Sequence, residues 1–153
     1  MLRQEFSDAL KQAMREKSGR ALSTIRLIIA ALKDRDIAAR SNGQFDGIDE
    51  AEIHALLQKM VKQREESIRL YEQGGRIELA QQERDEIVVI QRFLPVPLDD
   101  EAIRAAVDQA IRDVEAEGLK DMGRVMALLK ERHAGDMDFG RASQFARSML
   151  SAA

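Results

Sequence analysis

Two charged interruptions in otherwise apolar helical stripes are where this sequence could do chemistry. Arg64 stands in the stripe Ile53, Leu57, Met60, Ile68, Tyr71 at a place where an apolar side chain is due. Glu83 interrupts Leu79, Ile87, Ile90, Leu94 in the same way, with Glu86 beside it. A charge in a buried stripe is costly unless it is paired. If the two segments form an antiparallel hairpin turning at Gly74–Gly75, Arg64 comes level with residues 83–86, and an interhelix Arg–Glu bridge is expected. Two roles are open to such a trio. It could be a catalytic acid with its electrostatic partner, or a structural ion pair that fixes the register of the hairpin. No His, Cys or metal ligand accompanies it in the pattern, so the structural role is the one expected and no catalytic residue is assigned.

Other chemistry has little to stand on. His54 and His133 lie far apart without clustered partners, whereas a zinc site needs three or four convergent ligands. The run "DMDFG" at 136–140 begins like a calcium loop, but its Gly falls one position early and Arg147 takes the place of the bidentate Glu. There is no Walker A, GxGxxG or GxSxG pattern. No metal and no cofactor are expected.

The elements that would carry these residues are all helical. The chain has 153 residues, 44% hydrophobic and 33% charged, which suffices for one domain or two small ones. Aromatics are only 4%, which disfavours a β-sandwich and a platform of stacked rings for single-stranded nucleic acid. Without cysteine there are no disulfides, and the expected location is cytoplasmic. The longest apolar run, "LIIAAL", is too short to span a bilayer, and "MLRQEFSDAL" has no apolar core of a signal peptide. No membrane role is expected.

Apolar residues recur with a period near 3.6 almost throughout. Leu2, Phe6, Ala9, Leu10, Ala13 give a first helix, and Leu22, Ile25, Ile29, Leu32, Ile37 a second, with Ser18 as its cap. Asp49 with Glu52 resembles a capping box for the third helix, which runs to about Gln73, and a fourth runs from Ile77 to Phe93. Met14, Met60, Met122, Met126 and Met149 fall at core spacing. Pro95 and Pro97 then remove two backbone donors, and "LDDE" restarts a helix with Asp99 as cap. The predicted architecture is all-α: an N-terminal four-helix unit (1–94), a proline hinge, and a C-terminal three-helix bundle (99–153). The charge is uneven. Residues 1–95 hold 16 basic and 16 acidic residues, leaving 8 against 11 beyond, so the second unit carries the whole net charge of −3. Contact with nucleic acid would have to use a local basic patch.

"TIRLIIAALKDRDI", "KQREESIRLYEQGGRIELAQQERDEIVVIQRFLPVPLDDEAI" and "KDMGRVMALLKER" together resemble the YqeY family over nearly the whole chain. Glu78 departs from the usual Asp of that pattern, and "GDMDFGRAS" from a simpler final loop. The resemblance implies a C-terminal unit similar to the tail domain of GatB, the tRNA-dependent amidotransferase subunit whose tail helps hold the tRNA body. It carries over Asp121, Met122, Gly123, Arg124, Val125, Met126 and the last helix. The amidotransferase cradle has no counterpart, so a label of carbon–nitrogen ligase with glutamine as amido donor comes through the tail alone, without intrinsic catalysis. Gly123, inside the first turn of a helix, is expected to permit close approach by a neighbouring helix or by RNA. Lys120, Arg124, Arg141 and Arg147 are the candidates for phosphate contact. The expected partner is tRNA or a tRNA-handling complex. The alternative is a protein partner, met by an adaptor that binds no nucleic acid and uses the long third and fourth helices.

Overall fold

The helical period continues into three dimensions in the computed structural model, which describes residues 1–133 and 135–152. The described residues form seven α-helices, α1 (Leu2–Arg15), α2 (Gly19–Arg40), α3 (Glu50–Gln73), α4 (Ile77–Gln91), α5 (Asp100–Asp113), α6 (Met122–Arg132) and α7 (Phe139–Ser151), with a 3-10 turn at Leu119–Asp121 and no strand. The chain divides into two compact units, Met1–Pro95 and Val96–Ala153.

In the N-terminal unit, Phe6, Ile28, Ile53, Leu57 and Ile90 are buried together, and Phe93 meets Phe6 edge to face at 4.9 Å between centroids. The stripe of α2 is the one expected except at its end, with Leu22 and Ile29 also packed against the core. Ala21, Thr24, Ile25, Ile28, Leu32 and Ala39 face inward, while Ile37 is 63% exposed. At about 100° per residue, nine residues carry Ile37 to the side opposite Ile28. Met14 is likewise exposed, whereas Met60 is buried. The Thr24 hydroxyl satisfies itself within the helix by donating to the Arg20 carbonyl at 3.0 Å.

The α2–α3 loop is fastened by one carboxylate. Asp36 accepts from both guanidinium nitrogens of Arg3, at 2.7 and 2.9 Å, and from the Ile48 amide at 2.9 Å. Arg3 also donates to the Ile48 carbonyl at 2.8 Å. Gly47 beside them has φ +88°, and a Cβ there would stand 2.5 Å from Asp36 Oδ1, so glycine is required both by conformation and by space. Asp49 and Glu52 form a reciprocal capping box at the start of α3. Ser18 occupies the N-cap of α2, but its hydroxyl makes no cap hydrogen bond.

In the C-terminal unit, Ile103, Val107, Val125, Leu129, Ala142, Ala146 and Leu150 make the core. Asp99 caps α5 through the Ala102 amide at 2.8 Å, and Asp138 caps α7 through the amides of Gly140 and Arg141. α5 stops at Asp113. Asp121 explains the turn that follows. Its carboxylate reaches backward to accept the Glu117 amide at 2.9 Å instead of capping the helix after it.

Four helices end in a left-handed residue that lets its neighbours close six-residue hydrogen bonds onto the last turn: Lys17 (φ 53°), Gly43 (φ 87°), Gly75 (φ 73°) and Glu115 (φ 53°). The closing bonds run from Ser18 to Ala13, Gln44 to Ala39, Arg76 to Tyr71 and Ala116 to Ile111. Two of these positions therefore hold a side chain where glycine costs least. Lys17→Gly and Glu115→Gly are expected to stabilise the chain by about 0.5–1 kcal/mol each, checked by chemical denaturation. A loss of stability at both positions would show that the side chains themselves carry the turns.

Candidate functional site

α3 and α4 form the most extensive helix pair of the N-terminal unit, turning at Gly74–Gly75, so residues equally far from the turn face one another. Arg64 Nε donates to Glu86 Oε2 at 2.9 Å and lies 4.0 Å from Glu83 Oε2. Its Nη1 turns back to the Met60 carbonyl at 3.2 Å. All three side chains are largely shielded, with exposures of 14% for Arg64, 22% for Glu83 and 18% for Glu86. Nearer the turn, Arg84 meets Glu72, and Asp85 reaches across to Arg20 on α2. Two carboxylates thus share one guanidinium, and the nearer takes the direct hydrogen bond. Burial, with repulsion from Glu86, pushes the Glu83 carboxyl above its ordinary range against the opposing pull of Arg64.

The basic residues of the C-terminal unit are exposed, and three of the four already face a carboxylate. Arg124 donates to Asp121 Oδ1 at 3.0 Å, which leaves Asp121 bridging the α5–α6 turn and the first turn of α6. The Glu117 amide and then Arg124 hold the Asp121 carboxyl below its usual range. Arg141 Nε donates to Asp100 Oδ1 at 2.7 Å, and its second contact to the same carboxylate makes the pair two-pronged, tying the start of α7 to the start of α5. Lys120 stands 4.0 Å from Glu117 in a loose surface pair. Arg147 makes no ion pair among the described residues. Arg141 and Arg147, six residues apart, stand about 120° apart around α7 and do not share one face. Gly123 is exposed, and a Cβ there would meet nothing within 4 Å. The expected close approach by a neighbouring helix is therefore corrected, since among the described residues no atom of another element comes within 4 Å of that position.

His133 Nδ1 lies 3.6 Å from Asp136. Among the described residues no group of three or more His, Asp or Glu side chains is placed to hold a metal. No described helix is long and apolar enough to cross a membrane. Sequence reasoning missed the Arg3–Asp36 clamp, because the partners lie 33 residues apart with no periodic signal linking them. It also missed a solvent-open cleft of about 300 Å³ between α2 and α3.

Arg64→Ala leaves two half-buried carboxylates without their cation. With the site between the exposed and fully buried limits, the expected loss is about 2 kcal/mol, read from denaturant midpoints. Glu83 keeps its proton to higher pH in the folded chain than its ordinary 4.5, so it favours folding at low pH, and that gain is lost as pH rises through the folded pKa. Glu83→Gln, a mimic of the protonated acid, should accordingly raise Tm at pH 7 and leave it unchanged well below pH 4.5. A lowered Tm at pH 7 would mean that the ionised carboxylate is needed where it stands.

The model of the YqeY family, described as Yqey-like protein, matches residues 3–150. Among curated relatives, the protein named altered inheritance of mitochondria protein 41, mitochondrial, of Eremothecium gossypii is 29% identical over 161 residues, covering 98% of this chain and 85% of its own length. The protein of the same name from Pyrenophora tritici-repentis is 33% identical over 130 residues, covering 80% of this chain and 68% of its own. That of Clavispora lusitaniae is 33% identical over 110 residues, 70% of this chain, and the match spans only 61% of the relative. These names speak of mitochondria, not of tRNA or amidotransfer. They overturn the expectation of a cytoplasmic protein, which rested on the missing cysteines. A cysteine-free chain cannot form disulfides, but that excludes a chemistry and does not choose a compartment. With its family model matched from residue 3 to residue 150, the chain belongs to the YqeY family.

Proposed function

We propose that this protein is a non-catalytic holder of structured RNA, tRNA first, and that its C-terminal unit makes the contact. The observation that carries the reading is the start of α6. Lys120 and Arg124 are exposed there on either side of Gly123, whose α-carbon is open to approach, in the segment that resembles the amidotransferase tail. A helix start with a bare glycine lets a phosphate come close to backbone amides. The ion pairs set the strength. Arg124 and Arg141 must exchange carboxylates for phosphates, and the unit as a whole is acidic, so binding is weak and confined to few contacts. The names of the relatives support the mitochondrion as the setting, so mitochondrial tRNA belongs in the test beside whole-cell tRNA.

The full-length protein should shift tRNA in preference to a DNA duplex at low salt. With roughly two to four phosphate contacts, the log–log salt slope should be about −2 to −4. Arg124→Glu with Arg147→Glu should abolish the shift, and because Arg124 also holds Asp121, the control is Arg147→Glu alone, which should weaken the shift while leaving helicity and Tm nearly unchanged. Equal binding to tRNA and DNA duplex, or no binding at all, would overturn the RNA reading and leave a protein-interaction adaptor.

A further inference from the structure

The α2–α3 loop, "SNGQFDG" at 41–47, twice sets a short carbonyl side chain before glycine, as Asn42–Gly43 and Asp46–Gly47. Asn42 is the chain's single asparagine. The two pairs stand in different surroundings. Asn42 is exposed in the turn that ends α2, and its side-chain amide makes no hydrogen bond among the described residues. Gly43 has φ +87°, and nothing lies within 4 Å of where a Cβ would stand. Gly47 is hemmed in, with Asp36 Oδ1 at 2.5 Å and Arg3 Nη2 at 2.7 Å from the same position.

We propose that Asn42–Gly43 is a site of spontaneous succinimide formation, at which Asn42 is converted to aspartate and isoaspartate. The Asn42 side-chain carbonyl is one methylene from the main chain, so closure onto the next amide nitrogen makes a five-membered ring. Glycine leaves that nitrogen least hindered. The Gly43 nitrogen gives up its proton and attacks Asn42 Cγ, and the Cγ–Nδ2 bond breaks. Ammonia leaves with that proton, and water opens the ring. Addition of water at Cγ gives aspartate. Addition at the main-chain carbonyl carbon gives isoaspartate, whose backbone is longer by one methylene. The Gly43 amide donates to the Arg40 carbonyl at 3.1 Å, so attack requires that bond to open. It closes a helix end, where local opening costs least. Asp46, a carboxylate, is the poorer electrophile, and the Arg3–Asp36 clamp crowds the glycine after it.

The consequence falls on the end of α2. Either acid adds a negative charge at the negative end of the helix dipole. Isoaspartate also shifts Gly43 and Gln44 away from the Arg40 and Ala39 carbonyls that their amides meet at 3.1 Å. Ile48, held by Asp36, stays fastened.

Full-length protein kept at mildly alkaline pH is sampled over time and digested with trypsin, whose cuts after Arg40 and Lys59 release residues 41–59. That fragment should gain the mass of an amide-to-acid exchange at residue 42, severalfold faster than at mildly acidic pH. A carboxyl methyltransferase selective for isoaspartate should label the aged chain and leave aged Asn42→Ser, of unchanged Tm, largely unlabelled. Amide exchange at Gln44 should quicken in the aged chain, while that at Ile48 holds. No mass gain at residue 42, or a gain confined to glutamines, would overturn the proposal. Equal labelling of Asn42→Ser would overturn it too, by assigning the isoaspartate to Asp46. Unchanged exchange at Gln44 in a fully labelled chain would overturn the effect on the end of α2.

Discussion

A carboxylate that accepts the amide of a loop while an arginine holds it ionised is the interaction on which each unit closes. In the N-terminal unit Asp36 takes the Ile48 amide and the Arg3 guanidinium together. In the C-terminal unit Asp121 takes the Glu117 amide and Arg124. Loops between helices carry amides that no helix satisfies, and each buried orphan is costly. A short acidic side chain nearby is the least bulky remedy, and the amide and the arginine together keep it charged. Both carboxyls are held below their ordinary range, Asp36 chiefly by Arg3 and Asp121 chiefly by the Glu117 amide. Their contribution to folding is therefore complete above the ordinary carboxylate pKa and is lost as pH falls through the lowered values.

The same pairing shapes what the surface offers to a partner. An arginine already in a two-pronged bond, as Arg141 is with Asp100, meets a phosphate only by giving up that bond. A loose pair such as Lys120 with Glu117 at 4.0 Å gives up little. Counting basic residues thus overstates the attraction of the C-terminal unit for nucleic acid. What matters is which cations have no internal carboxylate, and of the four candidates for phosphate contact Arg147 alone makes no ion pair with a described residue.

The sequence made the all-helical fold legible because periodicity and local chemistry act over a few residues. The capping box of Asp49 and Glu52 and the cap at Asp99 follow from side chains three residues from the amides they accept. Gly75 announces a left-handed helix end, whereas Lys17 and Glu115, in the same conformation, do not, since any residue type can be forced there by the bonds that close the turn. On α2 the stripe fails only at Ile37, because isoleucine and leucine occur all round the helix; Ile25, Ile28 and Leu32 are buried, and Leu27 and Ile37 are not. A hairpin with a short glycine turn fixes which residues stand level, so partners for Arg64 can be sought from the chain itself. No such ruler links Arg3 to Asp36 or Arg141 to Asp100, 33 and 41 residues apart.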